Sequence, residues 1–148
     1  MKNNFYGLAI MHSKNENNVG SLLRTAHLLN CDFICTIGKR YETQASDTSK
    51  IKKNVPFLEF ESFDEFEKYR PSCELVAVEL SPQANLLNTN YVHPRNAIYL
   101  VGAEDYGIPQ KYLNKCNRII QLYGEYSMNV AVAGSIVLYD RFVKNLNK

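Results

Sequence analysis

Short, wholly apolar runs alternate along this chain with longer stretches in which apolar residues return every three or four positions. The first pattern predicts buried strands and the second amphipathic helices. Residues 5–11 form a first buried strand, followed by a polar loop over 12–17. From Asn18 the residues Val19, Leu22, Leu23, Ala26 and Leu29 share one stripe and predict a helix over 18–30, with Arg24 off the stripe. Residues 32–37 predict a second strand, ended by Gly38. Residues 41–54 are polar and predict a mobile loop with room for a short helix. A short strand follows at 57–60. Ser62 and Glu65 then form a capping box that opens a helix stopping before Pro71. Residues 74–80 are a strand of the buried type, followed by a Ser81-Pro82 turn and a connection through Leu86 and Leu87. Residues 97–102 are another strand, breaking into a loop over 103–109. A short helix leads to a strand at 118–122. The chain breaks again at 123–126, and Ser127 is a favourable N-cap for a long apolar helix behind it. Strands alternating with helices at this spacing predict an α/β fold, one domain over 1–148 with a mostly parallel sheet and helices on both faces.

Composition narrows the class without naming a function. The length of 148 residues suits one substantial core. A net charge of +2 permits a polyanionic partner but does not require one. No apolar run approaches the roughly 20 residues that span a bilayer, and the short run after Met1 lacks the form of a signal peptide. The expectation is a cytoplasmic chain with no membrane contact. Cys31, Cys35, Cys73 and Cys116 form no CxxC pair and no zinc-ligand spacing, so no metal is expected and all four thiols read as reduced and structural. His12, His27 and His93 fit no catalytic pattern and read as structural or surface residues.

Three strand-end loops hold the candidate chemistry. The first carries Asn18-Val19-Gly20 and Arg24, the second Gly102-x-Glu104-x-x-Gly107, and the third Ser127-Met128-Asn129-Val130. A parallel sheet presents loops after strands on one edge, where ligands bind in open α/β folds. Each motif alone has a plain structural reading. Asn18 and Ser127 can be helix caps, the glycines can serve tight turns, and Glu104 can be a solvated carboxylate.

In order, spacing and strand context the three motifs resemble those of the SpoU (TrmH-like) RNA ribose methyltransferases of the SPOUT superfamily, over nearly the whole chain. Ser21 stands where many members carry Asn. The resemblance implies a doubly wound sheet whose carboxyl-terminal segment makes a deep trefoil knot, a feature that pattern alone would never suggest. It implies S-adenosylmethionine as cofactor, held in the knot by the loops after Val78, Gly102 and Ile120, with Leu122 and Ser127 also against it. It implies a homodimer acting on RNA, tRNA more readily than rRNA because no RNA-binding domain is appended. Asn18, Arg24, Glu104, Ser127 and Asn129 become the catalytic set. The resemblance casts Arg24 as the group that activates a ribose 2′-hydroxyl. Its pKa above 12 makes a phosphate clamp that also stabilises the developing alkoxide the sounder role. Asn18 and Asn129 would then fix ribose or Arg24 by hydrogen bonds, and Glu104 would pair with Arg24 or orient its loop. Two other readings stand beside this one: a non-catalytic RNA- or nucleotide-binding module of the same fold, and a flavodoxin-type nucleotide-binding domain. Against the latter, neither GxGxxG nor a Gly-Lys-Ser/Thr phosphate loop is present.

Overall fold

The computed structural model describes residues 4–42, 54–146 and 148. Seven strands, all paired in parallel, form one sheet in the order β3-β2-β1-β6-β4-β7-β5. They are β1 (Tyr6–Met11), β2 (Phe33–Ile37), β3 (Phe57–Phe60), β4 (Glu74–Val78), β5 (Asn85–Leu86), β6 (Ala97–Val101) and β7 (Arg118–Gln121). Four helices are described: α1 (Glu16–Leu28), α2 (Phe63–Tyr69), α3 (Gln110–Leu113) and α4 (Val130–Asn145). Strands β1, β2 and β6 are buried at every residue, as continuous apolar runs require when both faces of a sheet are covered.

The alternation of side chains along each strand divides the core in two. Leu8 and Ile10 of β1 join Val19, Leu22, Leu23, Val137 and Leu138 from α1 and α4. Ala9 and Met11 face the other way, into Phe63, Phe66 and Leu113 from α2 and α3. Helices therefore cover both faces, as the strand–helix alternation predicted. On the first face α1 and α4 pack closely, because a Cβ on Gly134 would come within 2.7 Å of Leu22.

Most of the expected elements are present with shifted ends. Ser62 caps α2 as predicted, its side chain accepting from the Glu65 N–H. The two-residue strand β5 lies within the expected connection through Leu86 and Leu87, since two residues carry no periodicity. Helix α1 begins earlier than Asn18, with Asn15 as its N-cap. The predicted loop at 41–54 falls almost wholly outside the described residues. All four cysteines are free thiols, Cys31 and Cys35 buried. Among the described residues no helix is long and apolar enough to cross a membrane, and no cluster of His, Cys, Asp or Glu could hold a metal ion.

Candidate functional site

Because β1, β6, β4 and β7 are consecutive in the sheet, the loops leaving their carboxyl ends crowd one edge. The loop after β6 closes on itself first. Ala103 and Gly107 exchange backbone hydrogen bonds of 3.2 and 3.0 Å, and Gly107 turns the chain at a φ of +69°. Glu79, just past β4, secures it by accepting the Ile108 N–H at 2.9 Å. A Cβ on Gly102 would lie 2.4 Å from the Gly107 carbonyl carbon and 2.6 Å from the Ile108 nitrogen. The second motif therefore needs a glycine there so that the loop can fold over its own strand end.

Glu104 projects from this loop toward the one after β1. Its carboxylate accepts from Asn18 Nδ2 at 3.0 Å, from Ser13 Oγ at 3.3 Å and from the Lys14 N–H at 3.1 Å. Burial alone would raise its pKa, but the hydrogen bonds from Asn18, the backbone and Ser13 outweigh that and hold the carboxyl below its usual range. Asn18 continues the chain, its Oδ1 accepting from Asn129 Nδ2 at 3.2 Å. Asn129 Oδ1 in turn caps α4, accepting from the Ala131 and Val132 N–H groups at 2.8 and 3.2 Å. One hydrogen-bonded line thus runs through all three motifs, Glu104 to Asn18 to Asn129 to the start of α4.

Two expected roles change. Asn129, not Ser127, caps the last helix, because two further residues separate Ser127 from its first turn. Asn18 and Asn129 orient each other and Glu104, not Arg24. Arg24 lies exposed on α1 and has no hydrogen bond or ion pair to any described residue.

Beside this line opens a cleft of about 720 Å³ of non-atom space, its mouth included. Of the residues expected to hold a cofactor, Val78, Gly102, Leu122 and Ser127 line it. Ile120 does not line it, because it points into the core at 0% exposure; its carbonyl accepts the Glu79 N–H at 3.0 Å. Glu104 lines the cleft too, as do Val101, Val130 and Ala133, while Arg24 does not. The walls are apolar near the strand ends and carry Glu79, Glu104 and Asp105 toward the rim.

A second cluster stands at the lip. Asp105 holds Arg40 through two hydrogen bonds of 3.1 and 2.7 Å, and Arg40 Nε donates to the His12 carbonyl at 2.9 Å. The Arg40 guanidinium keeps the Asp105 carboxyl down at about 2. Arg40 also covers the Tyr106 ring at 4.9 Å, and the Tyr106 hydroxyl lies 2.8 Å from His12 Nδ1. Nothing in the sequence pairs positions 12, 40 and 105, and His12, expected to be a structural or surface residue, is tied here to Tyr106 and Arg40. Glu79 has one signal in the sequence, a carboxylate directly following an apolar strand.

An open parallel α/β sheet with a cleft beside its carboxyl edge defines the class of α/β folds that bind ligands at their strand ends. The chain belongs to the SpoU rRNA Methylase family, whose model matches residues 7–139. It is similar in structure to an rRNA methyltransferase from Sinorhizobium meliloti bound to AdoMet, with a TM-score of 0.84 and 18% identity over 98% of this chain and 58% of that one. It is similar also to the SpoU methyltransferase AviRb from Streptomyces viridochromogenes in complex with AdoMet, at 0.85 and 15% identity over 100% and 63%. The chain therefore spans less than two thirds of the length of either protein. A structure concerned with 2-OH methylation of C/U34 on tRNA matches end to end, at 0.82 and 18% identity over 98% and 99%. No curated protein sequence matches the chain.

Proposed function

We propose that residues 1–148 act as one methyltransferase domain that moves a methyl group from S-adenosylmethionine to a ribose 2′-hydroxyl of RNA, tRNA in preference to rRNA. The observation that carries the reading is the hydrogen-bonded line Glu104–Asn18–Asn129 along the rim of the cleft. A cap and a turn have no need to be joined to a third loop. The end-to-end match with the structure concerned with tRNA supports the preference for tRNA.

The residues of the cleft fit the cofactor. Val78, Val101, Leu122, Val130 and Ala133 offer an apolar wall for an adenosine, and Glu79 and Glu104 offer negative charge to a sulfonium or ammonium. Ser127 supplies a hydroxyl at the same wall. When bound, the cofactor supplies an electrophilic methyl group. What this chain must add is orientation and removal of the hydroxyl proton. Asn18, locked between Glu104 and Asn129, presents a fixed amide beside the place where a ribose would stand. Glu104 stays ionised at neutral pH and holds Ser13, Lys14 and Asn18, across the start of α1, in place. Arg24 is too weak a base to take the proton, and acts as a clamp on the neighbouring phosphate.

Arg24 is exposed, outside the cleft of its own chain and without a partner among the described residues, which favours service in the site of a second copy. The same helix layer supports a homodimer. Val132, Ile136, Tyr139, Val143 and Leu146 follow helical spacing along α4 and are 40–61% exposed, an apolar stripe unusual for a solvated surface. The reading also includes the knot. Strand β7 fills a slot between β4 and β5, and α4 behind it is tied to the 88–95 connection by Arg141 to the Pro94 and Arg95 carbonyls and by His93 to Asp140. Threading of that segment accounts for both.

Calorimetry with S-adenosylmethionine, followed by mapping of ribose methyls on bulk tRNA and rRNA incubated with the protein, tests the reading. Saturable binding with 2′-O-methylation of tRNA is expected. Absence of cofactor binding would overturn it. Light scattering at micromolar concentration should give twice the chain mass, and a monomer would remove the dimer.

A further inference from the structure

Tyr106 sits at the tip of the loop over 103–107 with its side chain 52% exposed, yet it is held from two sides. His12 Nδ1 fixes its hydroxyl at 2.8 Å, and the Arg40 guanidinium lies 4.9 Å over its ring. Arg40 is itself pinned by Asp105 at 3.1 and 2.7 Å and by the His12 carbonyl at 2.9 Å. The loop does not need these contacts to close, since Ala103, Gly107 and Glu79 already close it. Asp105 and Gly107, the chain neighbours of Tyr106, line the cleft, while the Tyr106 side chain itself turns outward from that wall to His12 and Arg40. Tyr123 and Tyr126 are also exposed, but they line the cleft itself and belong to the ligand wall.

We propose that Tyr106, backed by Arg40, is a stacking platform for a nucleobase of the RNA strand whose ribose enters the cleft. The inference rests on the methyltransferase reading and adds a residue that positions the substrate. An aromatic face stacks on any base, and a ring already held in place loses little freedom when a base arrives. Its hydroxyl is committed to His12, so the platform sets where the strand lies and reads no base edge. The guanidinium, held by Asp105 and the His12 carbonyl, backs one face of the ring and leaves stacking to the other.

The test compares Tyr106→Leu, Tyr106→Phe and Tyr106→Trp in methyl transfer to bulk tRNA from a strain lacking the protein. The Leu variant should raise KM for RNA roughly 5- to 100-fold with kcat and S-adenosylmethionine affinity nearly unchanged. The Phe and Trp variants should stay close to wild type. A single-stranded RNA carrying 2-aminopurine should lose fluorescence on binding wild type, Phe or Trp, and should not on binding Leu. A wild-type KM in the Leu variant would overturn the platform and leave the methyltransferase reading standing. So would a Phe variant as weak as Leu, or a Leu variant whose melting temperature and cofactor affinity fall together. A wild-type protein that neither binds S-adenosylmethionine nor transfers methyl would instead remove the reading and the platform with it.

Discussion

Asn129 performs two tasks that substitution can separate. Its Oδ1 caps α4 through two N–H groups, and its Nδ2 holds Asn18 at 3.2 Å. Asn129→Ala removes both. Loss of an N-cap costs about 1 kcal/mol, and an exposed amide bond adds roughly 0.5 kcal/mol. The helix that frays carries Val130, Val137, Leu138 and Arg141 into the core, so the loss reaches global stability. A fall of roughly 1.5 kcal/mol corresponds to a melting temperature lower by about 3–6 °C for a chain of this size. Asn129→Asp keeps the capping acceptor and places negative charge at a helix N-terminus, which is favourable by some tenths of a kcal/mol. It also sets a carboxylate oxygen against Asn18 Oδ1. Asn18 cannot flip to relieve this without turning its oxygen toward Glu104. The Asp variant should therefore melt within about 2 °C of wild type, yet transfer methyl roughly 10- to 100-fold more slowly, as expected for a misplaced orienting group. Differential scanning fluorimetry and single-turnover methylation read the two effects. Full activity in the Asp variant would refute the role of the hydrogen-bonded line, and an unchanged melting temperature in the Ala variant would refute the cap.

Gly102→Ala should destabilise the fold by about 2 kcal/mol in urea denaturation, because the added Cβ meets backbone atoms of Gly107 and Ile108 that have nowhere to go. Stability near wild type would show that the loop can shift. His93 is buried between Tyr99 and Asp140, with Arg141 and Lys144 nearby, and desolvation lowers its pKa from 6.5 to about 4. The unfolded chain then takes a proton that the folded chain refuses, so stability should fall by roughly 3 kcal/mol from pH 6.5 down to 4, and the His93→Gln variant should show a flatter curve. A wild-type curve no steeper than the variant's would remove His93 as the cause. Arg24→Ala should abolish methyl transfer and leave S-adenosylmethionine affinity and melting temperature unchanged, since the side chain is exposed and supports nothing in its own chain. Near-normal turnover would remove the assigned role.

The apolar runs at 6–11, 33–37 and 97–101 could be read directly as strands, because burial on both faces leaves them almost continuously apolar, with only the β-branched Thr36 as a small polar exception. The capping box at Ser62 was equally legible, since cap chemistry is local. Local reasoning failed where two candidates competed for one helix end. Ser127 and Asn129 are both good caps, and only the path of the chain around the cleft shows which one meets the free N–H groups. The same holds for Asn18, displaced as a cap by Asn15 and thereby released to bridge Glu104 and Asn129. The three motifs could be found in the sequence as residues, but their union could not. Glu104 and Asn18 are 86 positions apart, Asn129 and Asn18 are 111 apart, and Arg40 meets Asp105 across 65. Periodicity reports which face of an element is buried, over a span of one or two turns. Pairings between loops depend on strand order, and it is the placing of β6 between β1 and β4 that brings Glu104 to Asn18 and opens the cleft beside them.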